Sequence, residues 1–119
     1  MVEKYLYLCG PMTNLPEYNY PAFGDAAEKL TKQGYYVLNP ARFAPDPSYR
    51  WVDYLRRGLS DLLTTEAVAL LPGWEQSTGA RLEVYVAQSL GMPCRPVSAY
   101  LNDHENIEVT RVMPPVDSP

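Results

Sequence analysis

The chain has little of what most catalytic or secreted small domains rely on. Only two cysteines, Cys9 and Cys94, occur in 119 residues. That excludes a disulfide framework. Both lie in apolar, strand-like runs and read as reduced core thiols of a cytoplasmic protein. A single histidine, His104, stands in a polar tail. There is no Cys/His cluster with zinc-ligand spacing, so no metal site is expected. Basic residues are outnumbered, 10 Lys and Arg against 14 Asp and Glu, for a net charge of −4. A broad phosphate-gripping face for a nucleic-acid polymer is therefore not expected. A single nucleotide needs only a local anion site. No apolar run approaches the roughly 18–20 residues of a membrane span. Glu3 and Lys4 followed by a short strand pattern do not read as a signal peptide.

What is abundant is proline, twelve residues, and tyrosine, ten. The prolines punctuate elements rather than forming a low-complexity tract. Residues 4–9, KYLYLC, are β-prone and stop at Gly10-Pro11. Pro21 suits a first helical turn, with Phe23, Ala26, Ala27 and Leu30 at helical spacing and Gly34 as the stop. Residues 35–38 form a second strand. A second helix spans 51–63, with Val52, Leu55, Leu59 and Leu62 as its stripe. Residues 67–71, AVALL, are continuously apolar, as in a strand covered on both faces. A third helix spans 78–90 and a fourth strand 94–97. The order β-α-β-α-β-α-β predicts a single small α/β domain of the doubly wound, flavodoxin- or Rossmann-like class. Its parallel sheet should have four to five strands. The domain is expected over residues 1–98. Residues 99–119 are expected as a tail, with 107–112 an edge strand, a partner-binding arm or disordered.

In such sheets ligands bind beyond the carboxyl ends of the strands, where strand order reverses. Here that point falls between strands 1 and 3, and the loops concerned are 10–20 and 72–83. Gly10, Pro11, Met12 and Trp74 are thereby placed at the ligand mouth. Ser77, Thr78 and Gly79 precede the third helix, whose unpaired amides and partial positive charge suit a small anion. The same spacing equally describes an ordinary Ser or Thr cap. Glu83 follows within the first turn or two, where the helix dipole is expected to favour its ionised form. Tyr7, near the end of strand 1, is placed to reach Glu83. Tyr18, Asn19 and Tyr20 could sandwich and hydrogen-bond a planar base. The sequence GPMT lacks the glycine spacing of a P-loop or dinucleotide fingerprint. Arg56 and Arg57 read as a solvated face rather than a phosphate clamp.

The stretches YLYLCGPMT, GYYVLNP and LLPGWEQSTGARLEVYVAQSLGMP together resemble the nucleoside 2-deoxyribosyltransferase-like superfamily, and within it the DUF4406 group. The resemblance spans about residues 3–97. It implies cleavage of the bond between a nucleobase and C1′ of a sugar, with no cofactor. It implies Glu83 as the nucleophile, Tyr7 as the group that orients it, and Ser77 as the acceptor of a 5′-phosphate where nucleoside transferases carry an aspartate. The implied substrate is a (deoxy)nucleoside 5′-monophosphate, and the implied assembly a homodimer or larger homo-oligomer. One departure stands out. The superfamily's base-contacting aspartate, eight residues before Glu66, falls on Gly58. Asp61, one turn further, is the expected substitute. The alternatives are a nucleotide-binding protein without turnover and a nucleoside 2-deoxyribosyltransferase.

Overall fold

The computed structural model describes residues 4–101 and 108–112. Four strands, β1 (Tyr5–Cys9), β2 (Tyr36–Leu38), β3 (Ala67–Leu70) and β4 (Cys94–Pro96), form one sheet in the order β2-β1-β3-β4. All three pairings are parallel. Four α-helices alternate with them: α1 (Tyr20–Lys32), α2 (Trp51–Leu62), α3 (Thr78–Ser89) and α4 (Val97–Leu101). This is the expected doubly wound α/β architecture, with the reversal of strand order between β1 and β3.

The period-2 geometry of β1 and β3 divides the interior into two cores. Leu6, Leu8, Ala67 and Ala69 face Phe23, Ala26 and Leu30 of α1 together with Val97 and Tyr100 of α4. Tyr7, Cys9, Val68 and Leu70 face Leu62 of α2 and Ala80, Val84 and Ala87 of α3. Both strands are buried on both faces, which explains why β3 is apolar without alternation. At the N-terminal edge of the sheet, Glu66 Oε1 accepts hydrogen bonds from the backbone amides of Lys4 (2.8 Å) and Tyr5 (3.0 Å). This staple joins the N-terminal ends of β1 and β3, at the end of the sheet opposite the loops that open at their carboxyl ends.

One feature departs from expectation. Helix α4 crosses the anticipated boundary at residue 98, because Val97 and Tyr100 bury themselves on the α1 side of the sheet, and Ala99 is buried as well. The Tyr100 hydroxyl donates to the Val68 carbonyl at 2.9 Å, tying the helix to the central strand. Residues 108–112 are neither strand nor helix. They form a strap in which Val109 N donates to Cys94 O at 2.9 Å and Val112 N donates to Gln88 Oε1 at 2.8 Å. Residue 107, the first of the segment expected as an edge strand, a partner-binding arm or disordered, lies outside the described residues.

Helix α4 is short, so its hold on the fold rests on Tyr100. Tyr100→Ala is expected to lower the unfolding free energy by roughly 3 kcal/mol, the scale of emptying a buried aromatic site. Equilibrium urea denaturation measures it; a loss below about 0.5 kcal/mol, the range of surface substitutions, would show that α4 does not support the core.

Candidate functional site

At the β1–β3 reversal the loops enclose a cavity of about 520 Å³. Its innermost wall is built by three elements. From β1, Tyr7 and Cys9 point to the same face because they are two residues apart. From α3 comes Glu83, and from α2 comes Gly58. Glu83 is 8 % exposed and is the one charged residue among the buried side chains of the described residues. Its two oxygens are held separately. The Tyr7 hydroxyl donates to Oε2 at 2.8 Å, and the Cys9 thiol lies 3.3 Å from Oε1 as its donor.

Gly58 explains how a carboxylate fits there. A Cβ at this position would overlap Glu83 Oε2 and stand 2.8 Å from the Tyr7 hydroxyl oxygen. Glycine in a helix costs about 1 kcal/mol relative to alanine, and here its missing side chain is the space that the carboxylate fills. The residue where an acid was expected is thus the gap that admits another acid.

Burial governs the charges. It pushes the Glu83 carboxyl up from 4.5 to about 7, opposed by the Tyr7 and Cys9 hydrogen bonds and reinforced by the Asp61 charge. The expectation that the α3 dipole keeps Glu83 in the usual carboxylate range is therefore corrected. Glu83 stands in the second turn, where the dipole has faded, and desolvation dominates. Burial, followed by the Glu83 charge, pushes both the Tyr7 phenol and the Cys9 thiol well above their ordinary values. Both remain protonated donors at neutral pH. Cys9, expected as a plain core thiol, is part of the site; only its two-residue offset from Tyr7 could have signalled this.

Toward the opening, Ser77 and Gly79 line the cavity at the start of α3. Ser77 caps the helix, its Oγ accepting from Ala80 N at 3.2 Å. Its own hydroxyl hydrogen remains available to a ligand. The Trp51 indole lies over Gly79, 3.8 Å from where a Cβ would be. Gly10, Met12, Tyr18 and Tyr20 also line the wall, whereas Pro11, Asn19, Trp74 and Asp61 do not. Gly10 has a structural reason as well, since a Cβ there would come within 2.8 Å of Leu71 Cβ. Asn19 Nδ2 donates to Pro11 O at 3.0 Å, bracing the loop rather than facing a ligand. That loop is strained: Glu17, Tyr18 and Asn19 all adopt left-handed backbone, φ 53°, 52° and 62°, each uncommon for a side-chain-bearing residue. Trp74 lies in a separate groove with Arg81 and the 108–112 strap.

Asp61, the expected substitute for the missing acid, does not line the cavity. Its carboxylate takes the Arg42 guanidinium at 3.0 and 3.3 Å. Three residues on from Gly58, it projects to the side of α2 that meets the 39–42 turn. Other wall residues escape the motif reading: Tyr49, Trp51 and Tyr54, and Arg57, expected on a solvated face. The density of Tyr, Pro and Trp over residues 40–54 was their available signal.

A family model described as a domain of unknown function, DUF4406, matches residues 4–95. The chain belongs to the DUF4406 family. No curated protein matches it. The DUF4406 span contains Tyr7, Cys9, Gly58, Ser77 and Glu83, so the whole inner wall is within the family domain; α4 and the strap follow it. Among the described residues, no three His, Cys, Asp or Glu side chains are grouped to hold a metal ion. No helix among them is long and apolar enough to cross a membrane.

The raised Glu83 value has a definite thermodynamic sign. Between pH 4.5 and 7 the folded chain binds more protons at Glu83 than the unfolded chain does, so stability falls as pH rises through that window. The displacement corresponds to about 3 kcal/mol. Glu83→Gln is expected to remove this decline and to exceed the parent in stability above pH 7 by roughly 1–3 kcal/mol. Urea titrations at several pH values decide it, and parallel pH curves for the two proteins would contradict it. Gly58→Ala should drive the carboxylate out of its niche toward solvent. Carboxyl ¹³C NMR is expected to show the Glu83 midpoint moving from about 7 back toward 4.5; an unmoved midpoint would mean that the niche does not set it.

Proposed function

We propose that this DUF4406 protein is an N-glycosidase that cleaves the base–sugar bond of (deoxy)nucleoside 5′-monophosphates. The observation that carries the reading is the buried Glu83 carboxylate, held by two protonated donors in the innermost wall of a nucleotide-sized cavity. A carboxylate in that setting is oriented and poorly solvated, as a nucleophile should be. The resemblance of its flanking motifs to the nucleoside 2-deoxyribosyltransferase-like superfamily supports the same reading. Glu83 would attack C1′ through an oxocarbenium-like transition state and form a sugar ester, and water would then release the sugar phosphate. Tyr7 and Cys9 would steady the carboxylate. Ser77, donating its free hydroxyl hydrogen, and the first amides of α3 would hold the phosphate. Tyr18 and Tyr20 would flank the base, and no metal or organic cofactor is called for. On this reading a second copy of the chain would cover the exposed aromatic rim at Tyr18 and Trp51.

A second reading, a nucleotide-binding protein without turnover, is favoured by one observation: Asp61 is committed to Arg42, and position 58 has no side chain. The two readings separate on one variant. Base release from nucleoside monophosphates, followed by chromatography, is expected to fall by at least about 10³-fold in Glu83→Gln. In the parent, kcat/KM should rise with pH through about 7 as Glu83 ionises. Release at the parental rate in the variant would refute the glycosidase reading, and tight binding with no release in either protein would establish the second.

A further inference from the structure

The cavity has one cationic side chain among its described lining residues, Arg57. Two arginines nearby are held by carboxylates. Arg42 is paired with Asp61 and Arg50 with Asp53. Arg57 has no carboxylate within ion-pair distance and no hydrogen-bond partner among the described residues. Instead its guanidinium is framed by three rings, 5.3 Å from the centroid of Tyr49, 5.4 Å from Phe43 and 5.5 Å from Tyr54. Ring faces fix the position of a guanidinium without using its N–H donors. Five donors are thus held at the wall with no acceptor among the described residues.

The location indicates what they meet. Helix α2 presents Trp51 to the start of α3, where the phosphate is assigned. Arg57 is six residues further along, about 9 Å down the helix axis, and directly precedes Gly58 beside Glu83. Its charge also reaches the Tyr20 hydroxyl, opposing the burial that raises that phenol, and Tyr54 and Tyr18 act on the same group. Arg57 shares the cavity wall with Tyr18 and Tyr20, the residues assigned to the base, and with Asp46, whose carboxyl is held low by the Ser48 hydrogen bonds and more weakly by Arg57.

We propose that Arg57 recognises the carbonyl edge of the base and takes up its charge as it departs, so that the substrates are nucleotides of oxo bases (uracil, thymine or hypoxanthine type) rather than amino bases. This inference rests on the glycosidase reading above. A guanidinium only donates. A carbonyl oxygen at C4 of a pyrimidine or C6 of a purine accepts from it, and the amino group that cytosine or adenine carries at that position does not. When a Glu83 oxygen bonds to C1′, the C1′–N bond breaks and its electron pair stays on the base. An oxo base spreads part of that charge onto the carbonyl oxygen at this edge, facing Arg57. Cytosine and adenine present an amino group at that edge, which gives Arg57 no oxygen to neutralise, and position 58 has no side chain to protonate the base instead. Water then opens the C1′ ester: its hydroxyl goes to C1′, its proton neutralises the departed base, and Glu83 is regenerated as the carboxylate. A fixed positive charge thereby does what a proton donor would otherwise do.

The test is base release from matched monophosphates, UMP and IMP against CMP and AMP in ribo and deoxy forms, by the parent, Arg57→Gln and Arg57→Lys. Melting curves check that each variant folds, and calorimetry on Glu83→Gln reads binding. The parent is expected to favour oxo bases by about 10- to 100-fold. Arg57→Gln should lose most of the oxo-base rate while barely changing the amino-base rate, and Arg57→Lys should restore part of it. Release that ignores the base edge, or a preference that survives in Arg57→Gln, overturns the assignment and leaves the glycosidase standing. A variant that loses preference for nucleotides over nucleosides, with base preference intact, makes Arg57 a phosphate anchor and also overturns it. Binding without release by the parent removes the leaving-anion role. Neither binding nor release of any monophosphate removes the glycosidase reading and this inference together.

Discussion

The site depends on one contact: a carboxylate wedged against the backbone of a helix. Glu83 fills space that any residue larger than glycine at position 58 would occupy, and Tyr7 and Cys9 close it from the sheet side. Everything nearby follows from accommodating that charge. The two donors must stay protonated, and burial together with the carboxylate's own charge keeps them so. The helices α2 and α3 must approach closely at Gly58, which brings the Trp51 end of α2 over the first turn of α3. The constraint thus sets both the electrostatics of the inner wall and the shape of the opening.

The energetics of the niche have two sides. A buried ionised carboxylate is costly unless hydrogen-bonded, and two hydrogen bonds only partly offset the desolvation here, leaving the group near the middle of its titration at neutral pH. A structural acid would gain nothing from that position. Perturbed carboxyls inside cavities are enriched at functional sites, and this one lies at the strand-order reversal where doubly wound sheets bind ligands. Fold and electrostatics independently single out the same residue.

The layer architecture was legible in the sequence because its determinants are local and periodic. Alternation in YLYLC, the unbroken AVALL run and the 3.6-residue spacing in α1 each report a face. Helix α4 was not legible, since its five residues are too few to show a period and its stability comes from the long-range Tyr100–Val68 contact. Within the site, the spacing of Ser77 and Glu83 was visible, but the role of Gly58 was not. A glycine records the absence of atoms, and only the three-dimensional neighbour shows what takes their place. Asp61 misled for a related reason: one helical turn puts it near Gly58 in sequence terms, yet a partner from a distant loop claims its charge. Arg57 looked like half of a solvated basic pair because the three rings that frame it come partly from residues 43 and 49, in a loop with no regular pattern.

The alternation of β1 has a consequence for how this domain can change. Leu6 and Leu8 belong to one core while Tyr7 and Cys9 serve the site on the other face. A shift of one residue in that strand would exchange both sets at once, placing two polar groups in an apolar layer and two leucines against the carboxylate. Stability and chemistry are therefore written into alternate letters of the same five residues. Substitutions in β1 can proceed one side chain at a time, but an insertion or deletion there has no neutral outcome, so length variation in the family should accumulate in the loops beyond the sheet's carboxyl edge and leave this strand untouched.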